Sequence, residues 1–310
     1  MSGFGLLQIL KASGKITTQD LGRKGWLHLG ICESGAADEM AFLWANFLVG
    51  NVANRLANST TLEITLGQVS LIFTAATTAA LTGASTPAFL NDKPIPCWQS
   101  FRVAAGDVLR LSLPKFGLIN YLAVQNGFKV QRVCGSTSIC EREGLGPFNG
   151  RQLQVKQCIG YSVPNQTNPI RSVPAHYIPE YHGQNIPFMP AEKVAVSKCL
   201  SGAYFTVTPA TNRMGCRLEG QAIEWVGEGG TQCVSQGMPY GAIQLPPDGQ
   251  PIALLKDRQT MGGYLLLGCL SRFGGGRLAQ CRPGERVSFV AISRMQAIEQ
   301  LRQRNVFFGL

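Results

Sequence analysis

Along most of this chain, short apolar or alternating runs are broken by Gly, Pro and Asn. Val69-Ser70-Leu71-Ile72-Phe73, Val108-Leu109-Arg110-Leu111-Ser112-Leu113, Tyr121-Leu122-Ala123-Val124 and Val287-Ser288-Phe289-Val290-Ala291-Ile292 are examples. Runs of this length, rich in branched and aromatic side chains and bounded by turn formers, predict β-strands. Residues 4–10 are apolar, with no charged segment before them and no small-residue cleavage site after. They read as a first strand and not as a secretory leader. Helical period is confined to two places. In 37–49, Met40, Phe42, Leu43, Phe47 and Leu48 share a broad helical face, with Ser34 or Asp38 placed to cap its start. Residues 293–304 predict a polar helix with one apolar face.

Between the halves, residues 163–190 carry six prolines and read as an extended connection or a long wrapping loop. Gly106-Asp107-Val108 and Gly284-Glu285-Arg286-Val287 place an acidic residue after a glycine and before a strand, late in each half. The pattern predicts an all-β fold with a few helices, built as two related β-barrels in tandem. The first is expected over 1–175 with a helix near 37–50, and the second over 190–310 with a C-terminal helix. The boundary leaves open that N-terminal strands pair into the second barrel.

Residues 241–264 are the most informative stretch. Two short apolar runs flank Pro246-Pro247-Asp248-Gly249, which predicts a hairpin. The second run empties into Lys256-Asp257-Arg258-Gln259-Thr260 and then Gly262-Gly263-Tyr264. Consecutive polar side chains at the end of a buried strand are how a rigid scaffold presents groups to a ligand.

Composition narrows the picture. In 310 residues, 45% are hydrophobic, 15% are charged and 36 are glycine, which suits β architecture with a substantial core. The formal net charge is +10, but the basic residues are scattered. Nucleic acid needs a basic stripe or an aromatic-studded basic run, so an anionic small molecule or an acidic partner subunit is the expected complement. The ten cysteines include no C-x-x-C pair, and most lie in apolar stretches. They predict buried reduced thiols and a cytoplasmic location, with no zinc site. Residues 64–91 lack any charge, but their Thr-rich alternation predicts core strands and no membrane span.

Familiar catalytic motifs are missing. There is no G-x-x-x-x-G-K-[ST], no G-x-S-x-G and no A-M-K-M biotin-attachment motif. No cofactor is expected to be bound by this chain. The three histidines, His28, His176 and His182, have no nucleophile at a suggestive spacing. What remains is a set of polar side chains on loops: Asp20 with Arg23, Arg213 with Arg217, Gln244, and Asp257, Arg258, Gln259, Thr260 and Tyr264. Arg holds a carboxylate by two parallel bonds, while Gln and Thr read an amide. Asp acts as a base or orients an Arg. The set fits a small anionic amide. The competing reading makes Asp20–Arg23 and Arg217–Glu219 ion pairs that brace turns.

These stretches also carry a resemblance. Thr18-Gln19-Asp20-Leu21-Gly22-Arg23 with Gly25 resembles the opening QDLGR-x-G motif of the KipA group. That group comprises the C-type subunit of bacterial 5-oxoprolinase, allophanate hydrolase subunit 2 and the carboxyltransferase region of urea carboxylase. Ser34-Gly35-Ala36 with Asp38, Asn46 and Leu48-Val49-Gly50-Asn51, and Thr61-Leu62-Glu63-Ile64-Thr65-Leu66-Gly67, resemble the motifs that follow. Asn212-Arg213-Met214-Gly215 with Arg217-Leu218-Glu219-Gly220, and the 256–264 run, resemble later ones. The chain departs from the pattern at Asn212, where an acidic residue is common. Gly135-Ser136-Thr137-Ser138 keeps only part of GS-x-ST, and Leu265 stands where proline is frequent.

The resemblance implies two cyclophilin-like barrels and a role as the C-type subunit of a 5-oxoprolinase. That enzyme opens 5-oxo-L-proline to L-glutamate at the expense of ATP, together with an A-type and a B-type (KipI-like) subunit. ATP is then used by the complex. On this reading Arg213 or Arg258 holds the substrate carboxylate, Gln259 and Thr260 hold the lactam, and Asp257 or Asp20 moves a proton. Arg23, Arg217, Gln244 and Tyr264 complete the substrate-binding set. The alternatives are a carboxyltransferase component of a biotin-dependent urea or amide carboxylase, and a non-catalytic KipA-type antagonist of a KipI-like kinase inhibitor.

Overall fold

The computed structural model describes residues 3–51, 59–183, 185–191, 199–225 and 232–310. The chain divides into two compact units. One comprises the residues up to Arg23, Glu39–Glu180 and Asn305–Leu310; the other comprises Lys24–Asp38 and Tyr181–Arg304. The simple division expected at 175–190 is therefore interrupted. Residues 24–38 leave the first half to pack within the second unit, and the last residues return to the first.

The first unit contains β1 (Phe4–Ala12), β2 (Lys15–Gln19), helix α1 (Glu39–Leu48), β3 (Thr61–Thr65), β4 (Val69–Phe73) and β5 (Thr77–Ser85). After these come β6 (Ala88–Leu90), β7 (Lys93–Ile95), β8 (Gln99–Val103), β9 (Val108–Leu111), β10 (Phe116–Val124), β11 (Phe128–Lys129) and β12 (Cys158–Ser162). They form a seven-stranded sheet, β11-β12-β1-β4-β9-β6-β7, and a five-stranded sheet, β2-β3-β10-β5-β8. β1 pairs with β12 and β4, so the N-terminal strands stay in the first unit and do not enter the second barrel. Leu7, Ile9, Leu71 and Leu109 from one sheet and Ile64, Leu81 and Leu122 from the other meet in one core. That burial is what period-two alternation provides.

Two motif residues in this unit serve packing. A Cβ on Gly67 would lie 2.2 Å from the Gly14 nitrogen, so the turns before β2 and after β3 meet only as glycines. Glu63 is buried and accepts a 2.7 Å hydrogen bond from the Tyr121 hydroxyl of β10.

The second unit contains β13 (Asn185–Pro190), β14 (Tyr204–Val207), β15 (Gly215–Gly220), β16 (Gln232–Gly237), β17 (Ala242–Leu245), β18 (Ile252–Leu254) and β19 (Met261–Leu270). Helix α2 (Arg272–Ala279) and β20 (Arg286–Ala291) follow, and helix α3 (Arg294–Phe308) starts in this unit and ends in the residues assigned to the first. The order β13-β20-β14-β15-β18-β17-β19 returns to β13 through Phe188↔Leu270, which closes a barrel; β16 extends from the first half of β19. α2 is capped by the Ser271 hydroxyl, which accepts from the Gly274 N–H at 3.0 Å. Asp38 accepts from the Tyr181 hydroxyl at 2.6 Å and the Gln280 amide at 3.0 Å. The predicted β fold with few helices, in two cyclophilin-like units, is the fold observed. No helix among the described residues is long and apolar enough to cross a membrane.

Candidate functional site

The hairpin predicted around Pro246-Pro247-Asp248-Gly249 joins β17 to β18, with Ile243 opposite Ala253. Gly249 has φ 74° and its N–H donates to the Pro246 carbonyl at 3.1 Å. The polar run after β18 does not project into solvent. Lys256, Asp257 and Arg258 are buried, at 3%, 4% and 1% exposure. Their backbone is tied down on two sides: Leu255 N–H donates to the Met214 carbonyl at 2.9 Å and Asp257 N–H to the Arg213 carbonyl at 2.8 Å. From the other side, Ser34 N–H donates to the Lys256 carbonyl at 3.2 Å. The segment 24–38 thus supplies a wall that no local pattern announces.

Asp257 is fully engaged. Arg213 donates Nε to its Oδ2 at 2.8 Å and Nη2 to its Oδ1 at 3.0 Å, and the Ser34 hydroxyl donates to Oδ1 at 2.7 Å. Arg213 Nη2 also reaches the Gly35 carbonyl at 2.7 Å. Ser34 holds φ at 52°, a left-handed conformation rare for a side-chain-bearing residue and concentrated at functional sites. The expected choice between Arg213 and Arg258 as the carboxylate ligand is therefore asymmetric. Arg213 is committed to Asp257. Arg258 donates Nε to the Met238 carbonyl at 2.9 Å and Nη2 to Glu33 Oε2 at 3.2 Å, while its Nη1 is buried with no hydrogen-bond partner.

The surroundings are electropositive. Lys256 Nζ lies 4.7 Å, Arg272 Cζ 4.9 Å and Arg258 Cζ 6.0 Å from the centre of the Tyr240 ring. Burial pushes the neighbouring Cys269 thiol up, and Arg258 and Arg272 pull it back down. Beside Arg258, the Gln259 amide donates to Gln244 Oε1 at 3.4 Å, and the Gln244 amide approaches Met238 Sδ at 3.4 Å. Thr260 accepts from the Met238 N–H at 2.8 Å through its carbonyl, and Tyr264 is 37% exposed on β19. Arg217 does not join this cluster. It points outward from β15, opposite Ile252, because it alternates with the buried Cys216 and Leu218. No ion pair with Glu219 is present among the described residues.

Asp20 and Arg23 belong to the first unit. The Asp20 carboxylate accepts from Ser136 Oγ and Ser138 Oγ at 2.6 Å each, and from Thr137 N–H at 2.8 Å, Thr137 Oγ1 at 3.2 Å and Gly22 N–H at 2.8 Å. It clamps the partial GS-x-ST stretch and forms no pair with Arg23. Arg23 instead donates Nη2 to the Ser138 carbonyl, and its buried Nε and Nη1 have no partner. Local pattern did not single out Glu33, Met238, Tyr240 or Arg272. Ser34 stood out only as part of a motif and a possible helix cap, and its positive φ is invisible in one dimension. His28, His176 and His182 are all exposed.

With the geometry in place, the chain can be set beside known proteins. Residues 29–291 match the carboxyltransferase domain, subdomain A and B, family. The chain is 35% identical over 318 residues to the C-type subunit of 5-oxoprolinase from Escherichia coli, covering 98% of this chain and 96% of that protein. It is 32% identical over 308 residues to the C-type subunit of 5-oxoprolinase from Haemophilus influenzae, with the same coverage. The crystal structure of the K. lactis urea amidolyase superposes with a TM-score of 0.87 at 24% identity, over 97% of this chain and 20% of that one, a likeness of fold. A match across most of the chain, and two relatives similar over nearly their whole length, establish that the chain belongs to the carboxyltransferase domain, subdomain A and B, family.

Proposed function

We propose that this chain serves as the C-type subunit of a 5-oxoprolinase, acting in the cytoplasm with A-type and B-type (KipI-like) subunits on 5-oxo-L-proline. The observation that carries the reading is the open Nη1 of buried Arg258 beside the Gln244–Gln259 pair. A buried guanidinium N–H without an acceptor is costly until an anion arrives. The substrate presents a carboxylate for that N–H and a lactam whose N–H and C=O match the two glutamines.

In this reading Arg258 takes the carboxylate, and Gln259 with Gln244 orients the lactam. Asp257 fixes Arg213 and Ser34 in place, so it acts through them rather than as a free base. ATP is used by the partner subunits, and this chain contributes binding and orientation, the positioning that lowers the barrier for ring opening. The net reaction uses two waters: one adds across the lactam C–N bond, giving the new carboxylate and amine of L-glutamate, and the other cleaves ATP to ADP and phosphate. The experiment mixes the purified chain with its cognate A-type and B-type subunits, ATP and 5-oxoproline. Glutamate forms only with all three present; an unchanged yield without this chain ends the reading.

The carboxyltransferase family match favours a second reading, transfer of a carboxyl group from a biotinylated partner to an amide. Bicarbonate- and biotin-dependent carboxylation by the reconstituted mixture, in place of glutamate formation, identifies it.

A further inference from the structure

The first unit holds a cavity of about 320 Å3 that none of the substrate-binding residues above lines. Its floor is Thr60 and Thr137, each 2% exposed, with their hydroxyl oxygens 2.9 Å apart. Phe128 and Val130 also border it, with their side chains packed into the core of this unit, and Lys129 and Arg132 stand exposed at the rim. No acidic side chain lines it among the described residues. Lys129 Nζ donates to the Asn126 carbonyl at 3.0 Å, which leaves two of its three N–H donors. Arg132 Nη1 is steadied by the Gly135 carbonyl at 3.0 Å.

The floor has a direction. Thr137 Oγ1 donates to Asp20 Oδ2 at 3.2 Å, so the hydrogen bond between the two threonines takes its proton from Thr60. Thr60 Oγ1 is then left with lone pairs to accept from a ligand. Two cations at the mouth and a hydroxyl acceptor at the base define one ligand class. We propose that this cavity is a second binding site, for a small organic carboxylate that carries an N–H or O–H donor. Its volume lies at the small end of ligand pockets, which begin near ~300 Å3. Inorganic phosphate satisfies the rim but carries no organic body, and its titration separates a general anion site from this one.

The test is calorimetric titration of the full chain with 5-oxoproline, acetate and inorganic phosphate. Arg258→Gln removes the anion ligand of the other unit. In that background 5-oxoproline still binds, and adding Lys129→Ala with Arg132→Ala weakens it at least ~10-fold, the loss expected for a charged contact. Thr60→Val weakens 5-oxoproline about 5-fold but leaves acetate unchanged, because only the former has a donor for the lost acceptor. Binding that ignores the Lys129 and Arg132 changes, or phosphate binding as tightly as 5-oxoproline, overturns the proposal. If Arg258→Gln does not fold, Lys129→Ala/Arg132→Ala is compared with the unaltered chain. Both are exposed, and the loss of one binding event then decides. The glutamate assay above is independent: its failure ends the 5-oxoprolinase reading and leaves this titration standing.

Discussion

Arg213 grips Asp257 with two parallel hydrogen bonds, at 2.8 and 3.0 Å, across 44 residues of chain. The pair joins the loop before β15 to the loop after β18, and Ser34 adds a third bond from the segment 24–38. Breaking one side of such a pair strands a buried charge, so Arg213→Ala is expected to lower unfolding stability by about 3 kcal/mol. Arg213→Lys, which keeps the charge and loses the fork, recovers part of this. Denaturant melts of the three proteins check the order; an unchanged midpoint in Arg213→Ala contradicts it.

Arg258→Gln separates binding from chemistry. In the reconstituted complex its KM for 5-oxoproline is expected to rise ~30-fold, about 2 kcal/mol of charged hydrogen bonding. A kcat little changed accompanies it. Initial rates across substrate concentration give both constants, and a fall confined to kcat removes Arg258 as the carboxylate ligand.

Asp20→Asn offers only one accepting oxygen to five donors. Its amide N–H groups face groups that also donate, and the expected loss is about 3 kcal/mol of stability. A variant with wild-type stability and no activity shows instead that Asp20 moves a proton.

Gly262→Ala probes the glutamine pair without touching it. The new Cβ would lie 2.6 Å from Gln244 Nε2 and 3.0 Å from Met238 Cγ, so the Gln244 amide must turn away. KM is expected to rise about 5-fold, close to one neutral hydrogen bond. Steady-state kinetics beside a thermal melt distinguishes this from unfolding.

Stability is expected to fall at alkaline pH. Burial pushes the Cys216 thiol from 9.0 up to about 12, and burial raises Cys281 well above its ordinary value. Tyr181 is pushed up by burial first and then by Asp38. In the unfolded chain the thiols lose protons from about pH 9. The native state therefore keeps its full advantage below pH 9.0 and loses it progressively as pH rises toward 12 for Cys216. Urea midpoints from about pH 7.5 to about pH 10.5 follow this, and Cys216→Ala flattens the decline. A midpoint rising through that range has the wrong sign.

The strands from 69–73 to 287–291, the helix near 39–48 and the 246–249 hairpin could be read from local pattern, because each depends on neighbours within a few residues. So could the importance of Asp257, Arg258 and Gln259, since an apolar strand ending in charges is a local signal. The place of Arg217 outside the cluster was not legible, because type and spacing say nothing about which side of β15 faces inward; the buried Cys216 and Leu218 decide that.

Amino-acid order alone was enough for the β class, the turn chemistry and the inventory of Arg, Asp and Gln groups. Which of those groups are spent on one another emerged from long-range contacts. Asp20 is saturated by a loop more than a hundred residues away and Asp257 by Arg213 and Ser34, whereas Arg258 keeps an open donor. The difference is one of range, because strand formation answers to periodicity over a few residues. The partner of a buried charge is chosen by barrel closure and by the passage of 24–38 into the second unit, neither of which leaves a mark on adjacent positions.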